Sequence, residues 1–411
     1  MAGWIEDRWL KKRKDPKTGR RERTALWGTK TKRYRVCGIP GVRKRSFDTL
    51  EDAKTWLARA ITDTKRLEFI DPRDGGILLA DYIEEHWWPN RSDPQSTAGP
   101  MWSRISRHII GASIGRLPMN TIGRQHLMAW VTELRGRGLA DSTIRLIWRN
   151  LSTIFRSAVG DRIPRNPCRD NLDVCPVAVR GTKTRAWTAE EVRAIRENLP
   201  GRYRVLSDLG VMAGLRQGEA LAFSPDDIDE ERGLIHLRRQ LRWDPSRPYF
   251  KLPKGKRERD IPLSPGLLKA VLAHMEEYPP VKVTLPWQGP GNGGRATATV
   301  KLLVVTAHGN PVHASGWNKL TLKPALAAAG LIAPYDEEAD GSGWEPSRDK
   351  MHHRWRHTYA SVQLAAGEDP VSLSHWMGHA SPEITLRIYA HFLPDNGTRG
   401  RTAVDAWLGA A

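Results

Sequence analysis

Cysteine is scarce in this chain: three in 411 residues, Cys37, Cys168 and Cys175. Their spacing forms neither a paired metal motif nor an even disulfide set, which excludes a disulfide-stapled scaffold and a thiolate metal centre. Long apolar runs are missing too, and none approaches the roughly 18 residues of a membrane span. The opening "MAGWIEDRWLKKRKDPK" is charged and no apolar segment follows it, so it does not read as a secretory signal. These absences lead us to expect a cytoplasmic protein with reduced thiols and no membrane partner. Lysine is absent from residues 71–180, where all 15 basic side chains are arginine. Two readings stay open for that bias: planar, bidentate recognition of phosphate, or the base composition of the coding DNA.

Positive charge is plentiful. The formal net charge is +19 and the pI is near 10.1, a field that attracts polyanions, nucleic acid first among them. Residues 1–70 hold 20 Lys and Arg against 9 Asp and Glu, so more than half of the excess lies in the first sixth of the chain. A length of 411 residues suggests two or three domains.

Within 1–70, "ALWGTKTKRYRVCGIPGVRKRSF" sets Trp27, Tyr34, Val36 and Phe47 between Gly and Pro residues, a pattern for two or three short strands. "DTLEDAKTWLARAITDTKRL" then reads as a helix capped by Asp48 or Thr49, with Ala53, Trp56, Leu57 and Ile61 on one face. "DPRDGG" (71–76) reads as a linker. Four helical patterns follow to about residue 165; the third ends at Gly138 and the fourth begins after Asp141 or Ser142. "IPRNPCRDNLDVCPVAVRGTKTR" (163–185) reads as an interdomain linker. Beyond it Thr188 and Glu191 form a capping-box pattern, and a strand cluster (234–263) is flanked by helices. "PWQGPGNGGRATAT" (286–299) and "YDEEADGSGWEPS" (335–347) look like surface loops.

The chemistry-bearing residues lie in the second half. "VMAGLRQGEALAF" places Arg216 one helical turn before Glu219. "YFKLPKGKRERDIPL" reads as two strands joined by a turn, offering Lys251, Lys254 and Lys256. "HHRWRHTYAS" presents His353 and Arg356 on one helix face. "MGHASPEITLRIYAHF" adds His379 before a Ser-Pro helix start, and Tyr389 ten residues later. Singly, each has a plain structural explanation as a surface or packing residue. Their joint order in a strongly basic chain changes that.

The segments "GLRQGEAL", "HRWRHTYAS", "MGHAS" and "ITLRIYAH" resemble the successive boxes of the tyrosine recombinase (phage integrase) family, across roughly residues 186–395. The resemblance implies a multidomain, mainly α fold with small β-sheets. A sheet-plus-helix module for arm-type DNA sites would span 1–70, an all-α core-type DNA-binding domain 75–165, a linker 166–185, and an α+β catalytic domain 186–411. It also implies site roles. Arg216 and Arg356 would hold the scissile phosphate, with His353 in the His-x-x-Arg position. His379 would donate to the phosphate and Tyr389 would be the nucleophile. Lys254 fits the general acid best, with Lys251 and Lys256 as alternatives, because "PKGKRERDIPL" departs from the common Lys-Thr form. Trp355 stands where the family usually has leucine.

Those roles suit the chemistry. Guanidinium forks remain cationic at any working pH and match the phosphate oxygens, and preorganised donors of this kind stabilise the transition state. A tyrosine needs help to lose its proton, for which His353 is the expected base or hydrogen-bond partner. A lysine ammonium can protonate the leaving 5′-oxygen. The resemblance implies no metal and no other cofactor. The partners it implies are double-stranded DNA at attachment sites and a homotetramer, with a host DNA-bending protein and an excision factor as further candidates. The tail "GRTAVDAWLGAA" would pack on its own domain or on a neighbouring copy. The basic N-terminal module favours an integrase over a chromosome-dimer or plasmid resolvase. Type IB topoisomerase-like relaxation and an inactive DNA-binding regulator are the other readings.

Overall fold

The computed structural model describes residues 3–39, 42–65, 74–93, 95–177, 185–244, 247–255, 257–288, 296–338, 343–345, 347–393 and 398–409. The chain forms two compact units, Met1–Arg180 and Gly181–Ala411.

The first unit has two separate apolar clusters. One belongs to the N-terminal segment, which contains five strands: β1 (Trp4–Asp7), β2 (Leu10–Lys14), β3 (Arg21–Arg23), β4 (Tyr34–Cys37) and β5 (Arg45–Phe47). An antiparallel sheet of order β1-β4-β5 packs on the helix Leu50–Lys65 through Val36, Ile39, Ala53 and Ala60. The Thr49 hydroxyl caps that helix, accepting from Asp52 N–H at 3.1 Å. Trp27, expected in a strand, sits instead in a turn, and β1, β2 and β3 come from residues whose charge hid them from an apolar-pattern reading.

The second cluster joins helical segments across 79–168. Trp130, Ile144, Ile147, Leu151, Ile154 and Phe155 are among its fully buried side chains. The last long helix runs Asp141–Ala158 and its N-cap is Ala140, not Asp141 or Ser142. The Asp141 carboxylate is taken by Arg135 at 3.1 Å, and from the first turn it still favours the helix dipole. The expected linker starts too early. Asn166 caps a short helix, Pro167–Asp170, and Cys168 is fully buried in the helical cluster, so the chain stays packed to about Cys175. Of the 71–76 linker, 71–73 lie outside the described residues and Asp74–Gly76 form a helical turn.

The second unit opens with the expected capping box: Thr188 accepts from Glu191 N–H at 3.2 Å and donates its own N–H to Glu191 at 2.8 Å. Its strands are β6 (Ile228–Asp229), β7 (Leu234–Leu237), β8 (Gln240–Asp244), β9 (Arg247–Lys251) and β10 (Arg259–Pro262). β9 and β10 do not form a hairpin with each other: β9 pairs with β8, and β10 with β7. β11 (Val281–Pro286) and β12 (Thr297–Leu302) pair across the first expected loop, whose tip, 289–295, lies outside the described residues. In the second, Tyr335 rests against Trp344, and 339–342 and 346 lie outside the described residues.

Helices surround these strands, and the helix His352–Ala365 runs through the middle of the packing. Trp355 is fully buried on it, beside Trp317 and over Gly210, where an added Cβ would come within 2.9 Å of the Trp355 Cβ. A glycine on the facing helix thus makes room for the large indole. Among the described residues, no helix is long and apolar enough to cross a membrane.

Candidate active site

Arg216 is the N-cap residue of a short helix, Gln217–Ala220, which puts its side chain at a helix start. Its N–H and its Nη1 reach the two oxygens of Glu219, at 2.9 and 3.0 Å. Arg356 stands one turn into His352–Ala365 and is 1% exposed. Its Nη1 donates to the Gly214 carbonyl at 2.6 Å, just before the Arg216 turn.

The helix Pro370–Met377 ends at Gly378, whose φ of +59° is left-handed. The last carbonyls of a helix lack intrahelical partners, and here arginines supply them. Trp376 O accepts from Arg259 Nε at 2.6 Å, Met377 O from Arg356 Nη2, and Gly378 O from Arg216 Nη2 at 3.0 Å. Three consecutive carbonyls thus hold three guanidiniums from three separate segments. The partial negative charge at a helix C-terminus favours that arrangement.

Glu219 is the counter-charge, 1% exposed. Burial opposes its ionisation, but Arg259, Arg216 and Arg356 more than offset it and lower its pKa to about 2. Burial and the charge of Arg216 lower Arg356 to about 9, which leaves it cationic at neutral pH.

The imidazoles around the arginines are neutral. Burial, then Arg356, Arg216 and Lys254, lower His353 to about 4. Burial, Arg356 and Arg216 do the same to His379, also to about 4. His379 Nδ1 lies 2.8 Å from the Thr385 hydroxyl. When that hydroxyl donates, the ring proton sits on Nε2 and can serve a phosphate oxygen. His352 is a different case: its Nε2 lies 3.1 Å from the Leu215 carbonyl, so that nitrogen must carry the proton, and its role is structural.

Tyr389 ends the helix Pro382–Tyr389 and is 1% exposed. Burial raises its phenol to about 12, with Arg356 and Arg216 pulling the other way. Its hydroxyl lies 2.5 Å from Nδ1 of His357. His357 is lowered to about 3, by burial and then by His353 and Arg356, so the phenol donates and the imidazole accepts. The His353 ring meets His357 edge to face at 4.5 Å.

The structure therefore gathers Arg216, His353, Arg356, His379 and Tyr389 in one place. Lys254 sits on an exposed turn before Gly255, close enough for its charge to depress His353. Lys251 ends β9, and Lys256 lies outside the described residues. The tyrosine's partner is His357 rather than the expected His353. The sequence held that clue, since His357 follows Arg356 directly and stands one turn from His353. Glu219 and Arg259 also lie within the motif segments, but only the packing shows that they clamp each other.

The sequence profile of the phage integrase family matches residues 185–395, about half of the chain. The chain belongs to the phage integrase family. A tyrosine recombinase XerC-like protein of Caldanaerobacter subterraneus subsp. tengcongensis is 26% identical over 306 residues, covering 71% of this chain and 73% of the relative. The ICEBs1 integrase of Bacillus subtilis is 24% identical, covering 71% of each. Among solved structures, the Tn1549 transposon integrase in complex with transposon right-end DNA superposes with a TM-score of 0.61 at 19% identity, covering 81% of this chain and 100% of that one. A lambda integrase dimer bound to a core site covers 96% of this chain and 95% of that one, with a TM-score of 0.52 at 15% identity. These likenesses assign the fold: a multidomain, mainly α architecture with small sheets.

Proposed function

We propose that this phage integrase family member is a site-specific DNA recombinase, the integrase of a mobile genetic element, working through a 3′-phosphotyrosyl intermediate. The observation that carries this is the convergence of a tyrosine hydroxyl, neutral imidazoles and two clamped guanidiniums on one helix end. Arg216 and Arg356 present donors to the non-bridging oxygens of a scissile phosphate, where charge grows during attack. His379 adds a neutral donor. Tyr389 gives its proton towards His357, and its oxygen forms the bond to phosphorus. The 5′-oxygen leaves with a proton from Lys254. The phosphotyrosine keeps the energy of the broken backbone bond, so another strand's 5′-hydroxyl reverses the step without ATP.

The mobile-element reading is supported by the names of the relatives, which include the ICEBs1 integrase and the transposase of transposon Tn916. A resolvase of the same chemistry and an inactive DNA-binding regulator are the competing readings. In our reading residues 1–70 hold arm-type sites and 75–165 core-type sites, with the catalytic domain from 186. The partners are double-stranded DNA at attachment sites and three further copies of the chain, joined by a host DNA-bending protein and an excision factor. The lambda integrase tetramer bound to a Holliday junction, with a TM-score of 0.54, supports that assembly by analogy. The last helix, Thr398–Trp407, leaves Val404, Trp407 and Leu408 exposed, which suits capture by a neighbouring copy.

The test is a nicked duplex from DNA flanking the gene, incubated with wild type or Tyr389→Phe without metal or ATP. A covalent protein–DNA band on a denaturing gel from wild type alone is the expected result. Salt-sensitive binding with no adduct, repeated on a site selected from the genome, would hand the protein to the regulator reading.

A further inference from the structure

The ribbon β2–β3 is an insertion. β1 and β4 are direct neighbours in the sheet, yet the chain between them leaves it to build a separate two-stranded ribbon. That ribbon contributes nothing to the buried cluster of the module. The four cations of β2 and all three residues of β3 are exposed, so it has no apolar face to hold it. An isolated ribbon without one is marginal in water.

It is fixed instead at both ends. At the root, Trp9 Nε1 donates to the Thr31 carbonyl at 3.2 Å and Thr24 Oγ1 to the Arg8 carbonyl at 2.5 Å. There too, Arg33 grips Asp7 and the Trp9 ring meets Trp27. At the tip, Asp15 accepts from the N–H groups of Lys17 and Thr18, at 2.6 and 3.1 Å. So much anchoring for an element that buries nothing indicates a rigid projection.

Residues 11–23 carry eight Lys or Arg against Asp15 and Glu22. Lys14 stands directly opposite Arg21, a like-charge pair that works against the ribbon. Among the described residues, Lys11 is the one ribbon cation with a carboxylate in reach, Glu22 at 2.6 Å. A polyanion with closely spaced charges relieves that repulsion. A two-stranded ribbon also has the width that the major groove of a duplex admits.

We propose that β2–β3 is a preformed arm that grips the phosphates of duplex DNA, separately from the three-stranded sheet and from the catalytic site. This rests on the reading that the protein works on DNA, and it assigns part of that binding to an element outside both the sheet and the site.

The test uses the full chain and a labelled duplex of mixed sequence, with affinity followed across salt concentrations. Replacing Lys12, Lys14 and Arg21 together by Gln should make the slope of log affinity against log salt shallower by ~0.9 for each phosphate no longer neutralised, about 2.7 in all. A charge-preserving swap (Lys12→Arg, Lys14→Arg, Arg21→Lys) should keep the wild-type slope. A wild-type slope in the Gln variant overturns the proposal. So does an equal fall in both variants, which would make the effect one of packing. Adduct formation at Tyr389 is measured in parallel on the nicked flanking duplex and on a site selected from the genome. No adduct from wild type defeats the recombinase reading alone, whereas a normal adduct with an unchanged slope defeats the ribbon alone.

Discussion

Arg259 holds both carboxylate oxygens of Glu219, at 3.0 and 2.7 Å, and both side chains are withdrawn from solvent. The pair ties β10 to the turn that carries Arg216, and Arg259 also reaches the helix end before His379. Removing one partner of a buried pair strands the other charge. Glu219→Gln should therefore destabilise the protein by roughly 3–5 kcal/mol in urea unfolding. A loss below about 1 kcal/mol, the range of an exposed pair, would show that the clamp is not a stabilising element.

Four histidines make the fold acid-sensitive: His352 is buried, His357 and His379 are half-buried, and His353 is exposed. His352, His353 and His379 are lowered from 6.5 to about 4, and His357 to about 3. The unfolded chain binds protons near 6.5 while the folded chain does not. The stability they contribute is thus complete above 6.5 and is lost as pH falls towards 4. Buried His352 removes about 1.4 kcal/mol per pH unit in that window, and the half-buried His357 and His379 and the exposed His353 remove less, because solvent screens them. Glu219, lowered from 4.5 to about 2, acts in the same direction between those values. The urea midpoint should fall steeply below about pH 6, and His352→Gln should flatten the fall by one proton. A midpoint constant down to about pH 5 contradicts these burial effects.

His357 accepts the phenol's hydrogen bond and lies beside His353. His357→Ala should slow covalent adduct formation by ~10²-fold or more, the usual size of a proton-transfer contribution. Duplex affinity should not change. Equal adduct rates in wild type and variant would return the proton-acceptor role to His353.

Lys254 lies near His353 on an exposed turn, with Lys251 at the end of β9. If Lys254 protonates the leaving oxygen, Lys254→Ala should be defective on an ordinary duplex. It should recover on one whose scissile 5′-bridging oxygen is replaced by sulfur, because a thiolate leaves without a proton. Arg216→Lys should not recover, since its loss concerns the non-bridging oxygens. Rescue of Lys251→Ala in place of Lys254→Ala would move the assignment to Lys251.

Gly378 is the hinge of the three-carbonyl arrangement. An added Cβ would lie 3.2 Å from Arg259, and the φ of +59° is unfavourable for any L side chain. Gly378→Ala should cost roughly 1–2 kcal/mol in urea unfolding and slow adduct formation. An unchanged midpoint would mean that the helix end relaxes freely.

The sequence by itself supplied the candidate reacting groups. Arg216, His353, Arg356, His379 and Tyr389 stand in short segments with fixed order, and residue type carries most of their meaning. Apolar periodicity also located the long helices, because side-chain spacing along one helix is a local property. Tertiary structure decided which groups meet. The carbonyls of Trp376, Met377 and Gly378 draw arginines from positions 259, 356 and 216, separations that no local pattern encodes. It placed His357, not His353, on the tyrosine, because one turn of helix separates two imidazoles that the sequence offers equally. It also made a ribbon from the charged residues 10–23, where the absence of an apolar face removed the alternation by which a strand is recognised.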